Sequence, residues 1–298
     1  MTETVELRVT SKDWQSHRPT WCPGCGDFGV LSATRKALVN TQWQPKDTVI
    51  VSGIGCSSNF PHFVGGYGIH TLHGRSQPVA QGIKLSNPDL NVIVAGGDGD
   101  GLAIGMGGFL HAARRNMDIT YLIMDNQVYG LTVNQASPTS TMDRKTRSTP
   151  YGNIEHPISP VQLAISAGAT FVARTFSKEG KQFESIMQAA LEHKGFAFID
   201  ALSPCVTFNK VNTYDWFKER VYDLNAPDSD HDTSDKIAAL TKADEDFSGQ
   251  IPIGIFYQTQ KPTYEELDPT IQKFGNVITR GALKIDPETR NKILADFR

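Results

Sequence analysis

Five short apolar runs between Thr48 and Leu202 predict the strands of one sheet. They read TVIVSGI from Thr48, NVIVAGG from Asn91, ITYLIMD from Ile119, TFVAR from Thr170 and FAFIDAL from Phe196. Their apolar character is continuous rather than alternating, which is typical of strands that are buried on both faces of a parallel sheet.

Four stretches between these runs carry apolar residues at helical spacing and predict helices. They cover residues 28–39, 102–115, 160–169 and 179–193. Ser159 and Ser177 stand before the last two stretches and are their predicted N-caps. The alternation of strands and helices predicts an α/β fold with a doubly wound, mostly parallel sheet.

The pattern changes after about Lys210, where the chain becomes polar and acidic. Aromatic residues and prolines punctuate this region in YDWFKERVYDL and IPIGIFYQTQKP. Such a composition indicates a segment laid over a surface rather than a second compact domain. We therefore expect an α/β domain over residues 1–220 and an extended C-terminal arm over residues 221–298 that contacts a partner subunit.

Composition and charge exclude some classes of protein. Of the 298 residues, 39% are hydrophobic and 20% are charged, which is ordinary for a globular protein. The net charge of -3 offers no electrostatic attraction to nucleic acid. The N-terminal MTETVELRVT lacks the basic start and the apolar core of a signal or an anchor. We expect a cytoplasmic protein that binds neither nucleic acid nor a membrane.

Glycine-rich or cysteine-containing segments follow four of the predicted strands. GIGCSSN follows the first, GDGDG the second, DNQVYG the third and SPC the last. In open parallel sheets the ligand crevice forms beyond the carboxyl ends of the strands. We therefore expect these four segments to converge on one crevice.

The GDGDG turn carries two aspartates that would repel a bare pyrophosphate, and Ile104 stands where a dinucleotide fingerprint counted from Gly99 requires glycine. A divalent cation between carboxylate and phosphate removes the repulsion. We expect Asp98, the side-chain carbonyl of Asn126 and the backbone carbonyl of Val128 to bind Mg²⁺ beside two phosphate oxygens. The alternative is a tight strand-to-helix turn with Asn126 as a turn residue.

The cysteines indicate a metal site or a redox site. There are four, and two of them form a C-x-x-C pair: Cys22, Cys25, Cys56 and Cys205. A disulfide framework is not expected in a cytoplasmic protein, because the cytosol keeps ordinary thiols reduced.

These motifs resemble a known family. Gly97-Asp98-Gly99 followed by Asn126 resembles the motif of thiamine-diphosphate enzymes. WCPGCG, GIGCSS, HGR, DNQVYGLT and SPC resemble the β subunit of 2-oxoacid:ferredoxin oxidoreductases over about residues 19–220. The resemblance implies bound thiamine diphosphate with Mg²⁺, and one 4Fe-4S cluster on the four cysteines. Thiolates suit iron–sulfur clusters, although zinc also fits four cysteines and a thioredoxin-like redox pair fits Cys22 and Cys25 alone.

The resemblance also implies roles for single residues. Nine residues are expected to bind the cofactor: Ile54, Gly55, Cys56, Ser57, His73, Gly99, Asp100, Gly130 and Leu131. The last four of these are expected to contact its diphosphate. His73 and Arg75 are the expected catalytic residues; their alternatives are a buried structural histidine and a surface ion-pair partner. Asn59 stands where some family members carry a basic residue, so a local cation for a second substrate carboxylate is missing.

The resemblance implies a CoA-dependent, reversible oxidative decarboxylation of a 2-oxoacid to acyl-CoA and CO₂. The favoured 2-oxoacid is 2-oxoglutarate, with pyruvate next, and the electrons pass through the cluster to ferredoxin. An α subunit is expected to supply the glutamate that activates the aminopyrimidine, in an αβ or (αβ)₂ assembly. The alternatives are a non-oxidative thiamine-diphosphate decarboxylase or lyase and a zinc-stabilised scaffold subunit.

Overall fold

A single sheet organises the molecule, for which the computed structural model describes residues 8–245, 249–276 and 286–297. Its strands in these ranges are Thr48–Ser52 (β1), Tyr67–His70 (β2), Asn91–Gly97 (β3), Thr120–Asp125 (β4), Phe171–Phe176 (β5), Ala197–Leu202 (β6), Val221–Asp223 (β7) and Ile251–Gln258 (β8). Their order is β2-β1-β3-β4-β6-β5-β8-β7, and every neighbouring pair is parallel except β5 and β8. The predicted mostly parallel sheet is confirmed.

Helices cover both faces of this sheet. In the described ranges they are Asp27–Asn40 (α1), Phe60–Phe63 (α2), Ser76–Ser86 (α3), Met106–Arg114 (α4), Pro160–Ala167 (α5), Gly180–Glu192 (α6), Tyr214–Lys218 (α7), Lys236–Ala243 (α8), Tyr264–Leu267 (α9), Pro269–Phe274 (α10) and Pro287–Ala295 (α11). One core packs α1 and α6 against the sheet, and another packs α3, α4, α5 and α8 against its other face. The doubly wound α/β fold is therefore confirmed.

The strand predictions succeed where burial is complete. Every residue of β1, β4, β5 and β6 is buried, as their continuous apolar runs indicate. The sequence did not reveal β2, whose residues YGIH are all exposed at the sheet edge. An exposed edge strand needs no apolar run, and for that reason it leaves little signal.

One predicted N-cap is confirmed, a second is wrong, and one helix begins later than expected. Ser159 caps α5 as predicted, since its hydroxyl accepts a bond of 3.4 Å from the backbone N–H of Gln162. Ser177 does not cap α6, because its N–H donates to the carbonyl of Leu202 and continues the pairing of β5 with β6. The helix expected from Leu102 begins at Met106, because the preceding residues form a π-helical turn that breaks at Ala103.

The region expected to be an extended arm takes part in the fold. Strand β8 pairs antiparallel with β5, and β7 pairs with β8. Ile251, Ile253 and Phe256 are buried, so β7 and β8 complete the sheet and are not parts of an extended arm. Residues 246–248, 277–285 and 298 lie outside the described residues. Contact of this region with a partner subunit stays a prediction.

The described part of the chain bears on one further expectation. Within it, no helix combines the length and the apolar composition that crossing a bilayer requires. The N-terminal segment in which a signal was not expected falls largely on residues 1–7, which lie outside the described residues.

Candidate cofactor and cluster site

Loops at the carboxyl ends of β1, β3, β4 and β6 converge on two adjoining cavities. The first, which we call the glycine-rich cavity, has a volume of about 380 Å³. All the predicted cofactor residues and all the predicted Mg²⁺ ligands line it, together with Gly97, Tyr129, Thr132 and Gln135. The structure thus brings together residues that lie up to about eighty positions apart in the chain, as expected for the carboxyl edge of a parallel sheet.

The predicted magnesium ligands present oxygen atoms to this cavity. Asp98 is 2% exposed, and its Oδ2 accepts a bond of 2.7 Å from the Thr139 hydroxyl. The Oδ1 of Asn126 accepts from the N–H of Val128 at 3.1 Å, which fixes the amide in a turn. A buried carboxylate needs a cation nearby, and carboxylate and amide oxygens are ligands that Mg²⁺ accepts. The residues present therefore fit a magnesium-bridged diphosphate.

A second buried carboxyl shares the Thr139 hydroxyl with Asp98. Thr139 Oγ1 lies 2.7 Å from Asp98 Oδ2 and 2.9 Å from Asp125 Oδ1, although a hydroxyl has only one proton to donate. Burial, reinforced by the charges of Asp98 and Asp200, raises the pKa of Asp125 well above its ordinary value. Burial raises the pKa of Asp98 as well, so the two carboxyls compete for one hydroxyl in a site that disfavours their charge. The sequence did not indicate Thr139, which belongs to no motif.

Asp100 has a structural role that the sequence did not indicate. Its Oδ1 accepts hydrogen bonds from Ile54 N at 2.9 Å, Gly74 N at 2.7 Å and His73 Nδ1 at 2.8 Å. These donors belong to the loops after β1 and β2, whereas Asp100 follows β3. The carboxyl therefore joins three strand ends, and its predicted contact with the diphosphate stays a prediction.

Glycine is required at Gly99 and Gly55 for different reasons. A Cβ on Gly99 would lie 2.2 Å from a ring carbon of Tyr129, whose hydroxyl donates to the Gly99 carbonyl at 2.9 Å. Gly55 has φ +123°, a conformation that residues with a side chain rarely adopt. Both glycines line the glycine-rich cavity, so the backbone itself forms part of its wall.

The second cavity, which we call the cysteine cavity, has a volume of about 320 Å³. It is lined by all the cysteines of the chain: Cys22, Cys25, Cys56 and Cys205. It shares Cys56, Asn126, Gly130 and Leu131 with the glycine-rich cavity. A Cβ on Gly130 would lie 3.6 Å from Cys205 Sγ and 3.8 Å from Cys56 Sγ, so this backbone passes directly beside two thiols.

Backbone and side-chain bonds hold the cysteine loops together. The N–H of Cys25 donates to the carbonyl of Cys22 at 3.0 Å, and the N–H of Gly26 donates to Pro204 at 3.1 Å. The indole N–H of Trp21 donates to the carbonyl of Cys56 at 2.7 Å. The loop of the C-x-x-C pair is thereby fixed to the loops after β1 and β6.

The thiols share an environment that suits a bound cationic centre. Burial, then the charges of Asp27, Cys205 and Cys22, raise the pKa of Cys56 to about 12. Burial and Asp27 likewise raise the pKa of Cys25. Thiolates form here only with a cationic partner, and the soft donor set fits iron. In the described ranges, the cysteines are free thiols, and no three His, Cys, Asp or Glu side chains are grouped as ligands of a single metal ion.

Asp27 is a buried carboxyl that the sequence analysis passed over. It is the first residue of α1 and is 0% exposed, with Ser203 and Cys25 as its polar neighbours. Burial raises the pKa of Asp27 to about 7. Its position beside the cysteine cavity places a titratable group against the predicted cluster ligands.

Arg75 lies apart from the two cavities. Its side chain is exposed, it lines neither cavity, and its guanidinium donates to the carbonyl of Ile104 at 3.4 Å. The structure therefore does not bring Arg75 together with the other predicted site residues, and its catalytic role stays a prediction.

Comparison with known proteins gives consistent matches. Residues 53–201 match the family profile described as "Thiamine pyrophosphate enzyme, C-terminal TPP binding domain". Residues 205–273 match the profile of the C-terminal part of the pyruvate ferredoxin oxidoreductase beta chain. The first range includes the loops after β1, β3 and β4. The second begins at Cys205 and includes β7 and β8.

Similar proteins cover most of the chain. "2-oxoacid:ferredoxin oxidoreductase 1, subunit beta" of Aeropyrum pernix is 49% identical over 83% of this chain and 80% of its own length. "2-oxoglutarate synthase subunit KorB" of Methanocaldococcus jannaschii is 36% identical over 85% and 93%. A solved 2-oxoglutarate:ferredoxin oxidoreductase of Magnetococcus marinus, with 2-oxoglutarate, coenzyme A and succinyl-CoA bound, superposes with a TM-score of 0.87 at 41% identity, over 97% of this chain and 96% of the other.

Proposed function

Because this chain belongs to the family of β subunits of 2-oxoacid:ferredoxin oxidoreductases, we propose that it holds thiamine diphosphate and Mg²⁺ in one cavity and a 4Fe-4S cluster in the other. The observation that carries this proposal is the shared wall of the two cavities, formed by Cys56, Asn126, Gly130 and Leu131. An electron leaving a substrate in one cavity then has a short path to an acceptor in the other.

The glycine-rich cavity provides what the diphosphate end of the cofactor needs. Thiamine diphosphate supplies the nucleophilic carbon that makes decarboxylation of a 2-oxoacid feasible. Asp98, Asn126 and the Val128 carbonyl hold the Mg²⁺ that neutralises the diphosphate. Gly99 and Gly130 let the backbone approach it, and the apolar side chains of neighbouring wall residues exclude water.

The cysteine cavity provides the ligands for the cluster. Cys22, Cys25, Cys56 and Cys205 bind its irons, and Cys56 stands between the cofactor residues Gly55 and Ser57. A zinc ion remains the alternative occupant, and metal analysis separates the two.

The substrate we propose is 2-oxoglutarate, with pyruvate as the second choice and CoA as the acyl acceptor. The names of the Methanocaldococcus jannaschii relative and of the Magnetococcus marinus structure support this choice. Asn59 lines the cysteine cavity and offers no positive charge there. The cation that binds the second carboxylate of 2-oxoglutarate must therefore come from another residue or from the partner subunit.

The site is completed by an α subunit in an αβ or (αβ)₂ assembly, and ferredoxin receives the electrons. Large apolar side chains remain exposed on the loops that border the glycine-rich cavity: Leu72 at 76%, Ile104 at 53%, Leu131 at 55% and Val133 at 42%. Exposed apolar side chains grouped at a cavity mouth are typical of a protein interface. A partner covering them also closes the cavity to water.

Cofactor analysis of the co-purified complex tests the proposal. The β chain, co-expressed with its α partner and purified without oxygen, should contain about four irons per β chain, visible iron–sulfur absorption, and stoichiometric thiamine diphosphate with Mg²⁺. Its kcat/KM for 2-oxoglutarate should exceed that for pyruvate. Stoichiometric zinc without iron would overturn the cluster assignment, and a complex unable to bind thiamine diphosphate would overturn the whole proposal.

A further inference from the structure

We propose that His73 removes the proton from the thiol of coenzyme A, and that Asp100 is the positioning residue that holds His73 in the tautomer for this step. The inference rests on the proposed function and names the base for its second half, the transfer of the acyl group to CoA.

The hydrogen bonds of Asp100 determine which nitrogen of His73 carries the proton. Asp100 Oδ1 accepts from the backbone N–H groups of Ile54 and Gly74, which can only donate. The same oxygen lies 2.8 Å from His73 Nδ1, so Nδ1 must also be a donor. In the neutral ring, Nε2 then carries the lone pair and is the basic nitrogen.

The turn that carries His73 is held in place by close packing. Gly74 has φ +66°, and a Cβ there would lie 2.5 Å from the side chain of Ile104 and 2.6 Å from the backbone nitrogen of Gly105. The Asp100 side chain is 1% exposed. A buried acceptor and a tightly packed turn leave the imidazole little freedom to rotate away.

The other end of the ring is available to the cavity. The His73 side chain is 40% exposed and lines the glycine-rich cavity, in which the acyl group must be transferred. Since Nδ1 is engaged by Asp100 on the buried side, Nε2 is the nitrogen that a substrate can reach. The Tyr129 ring, with its centroid 6.3 Å from that of the imidazole, borders it from the loop after β4.

The titratable groups around His73 are few in the described ranges. Asp100 faces it from the turn after β3, Asp98 and Cys56 line the same cavity, and the Tyr129 hydroxyl is committed to the Gly99 carbonyl. The guanidinium of Arg75, two residues away in the chain, contacts the carbonyl of Ile104. Asp100 is thus the acidic group in direct contact with the ring.

The overall reaction requires such a base. A 2-oxoacid anion and CoA give acyl-CoA, CO₂, two electrons for ferredoxin and one proton, and that proton is the one on the CoA thiol. A thiol with a pKa of about 8.5 is only a few per cent thiolate at pH 7, so a reaction that needs free thiolate is slow there. A neutral imidazole can instead accept the thiol proton as the sulfur attacks, and the step then does not depend on free thiolate.

The proton-transfer step is balanced within this arrangement. The S–H bond breaks, its electron pair stays on sulfur, and a new N–H bond forms at His73 Nε2. The carboxylate of Asp100 stabilises the imidazolium through the Nδ1 hydrogen bond. The proton stays on His73 Nε2 until the product leaves and solvent re-enters the cavity.

The pH dependence of the wild-type holoenzyme, the αβ complex with its cofactors, is the first test. We expect kcat/KM for CoA to become flat well below the thiol pKa of about 8.5, because a base that accepts the thiol proton removes the need for free thiolate. A tenfold rise per pH unit that continues to about pH 8.5 would mean that no base acts, and the inference would be wrong. This measurement needs no variant and so cannot fail through misfolding.

Variants in the same complex provide the second test. His73→Gln should lower kcat/KM for CoA at pH 7 by about 10²–10⁴-fold and restore the tenfold rise per pH unit up to about pH 8.5. Asp100→Asn should give a smaller loss, mostly in kcat rather than in KM, because the imidazolium that forms in the step loses its counter-charge. His111→Gln, on the exposed side of α4, is the matched control and should behave as wild type.

The two half-reactions separate this inference from the proposed function. Release of CO₂ from the 2-oxoacid without CoA reports the first half, and His73→Gln should reduce it far less than the CoA-dependent step. Equal losses in both halves would assign His73 to cofactor binding alone and overturn the inference. A wild-type complex that releases no CO₂ from any 2-oxoacid would instead overturn the proposed function.

Discussion

The buried carboxyl of Asp27 gives a prediction whose size follows from the structure. Asp27 is fully buried beside the cysteine cavity, and burial raises its pKa from 3.8 to about 7. The folded chain therefore holds the Asp27 proton more tightly than the unfolded chain. We predict that in the iron-free β chain Asp27 makes stability fall as the pH rises from about 4 to about 7, with a flat dependence above.

The magnitude is a few kcal/mol. A pKa difference of about three units at 1.36 kcal/mol per unit corresponds to about 4 kcal/mol of stability lost across this window. Asp27→Asn carries no charge at any of these pH values and should lack this loss. Asp98 and Asp125 have raised pKa values too, so the informative quantity is the difference between wild type and variant at each pH.

Urea unfolding of the iron-free chain at steps from pH 4 to pH 8 measures this difference. The free energy of unfolding of Asp27→Asn, relative to wild type, should increase by about 4 kcal/mol between the two ends. Asp230→Asn, at an exposed site, is the control and should run parallel to wild type. Parallel curves for Asp27→Asn and wild type would refute the assignment of a raised pKa to this carboxyl.

Three further variants test the two cavities. Cys205→Ser should make the cluster labile, which anaerobic iron analysis and the visible spectrum will detect; a full complement of tightly held iron would contradict its role as a ligand. Asp98→Ala should weaken thiamine diphosphate binding by about 100-fold in calorimetry while iron content is unchanged. An unchanged affinity for thiamine diphosphate would show that GDGDG is only a tight turn and that Asp98 does not bind Mg²⁺. Gly99→Ala should also weaken that binding, because its Cβ would lie 2.2 Å from a ring carbon of Tyr129. Gly82→Ala, in open space on α3, is the control and should stabilise the chain by about 0.5–1 kcal/mol while leaving the affinity for thiamine diphosphate unchanged. Equal affinities in the two variants would show that the close approach at Gly99 is unimportant.

The sequence predicted the centre of the sheet well, because strands buried on both faces require continuous apolar residues. Strand β8 escaped detection, since Pro252 and Gly254 interrupt its apolar run and indicate a loop. Proline is tolerated there because β8 lies near the sheet edge, between β5 and the short β7. The acidic residues that follow β7 favoured the prediction of an extended arm, where the structure has the two strands β7 and β8.

The candidate site was predicted through motifs, and what was missed depends on contacts between distant residues. The loops after β1, β3, β4 and β6 were expected to meet, and they do. The hydroxyl of Thr139, which two carboxyls share, belongs to a loop without any motif. The bond of Asp100 to His73 spans 27 positions, and no local pattern encodes it. Arg75 shares a motif with His73, yet its side chain lines neither cavity.

Activity of the assembled complex tests the central claim most directly. Ferredoxin reduction is followed without oxygen for the β chain alone and for the β chain co-purified with its α partner. The account predicts that the complex reduces ferredoxin only when both a 2-oxoacid and CoA are present, and that the β chain alone, shown free of partner by mass spectrometry, is inactive. A β chain that matches the rate of the complex, or a complex that reduces ferredoxin with no 2-oxoacid, would contradict it.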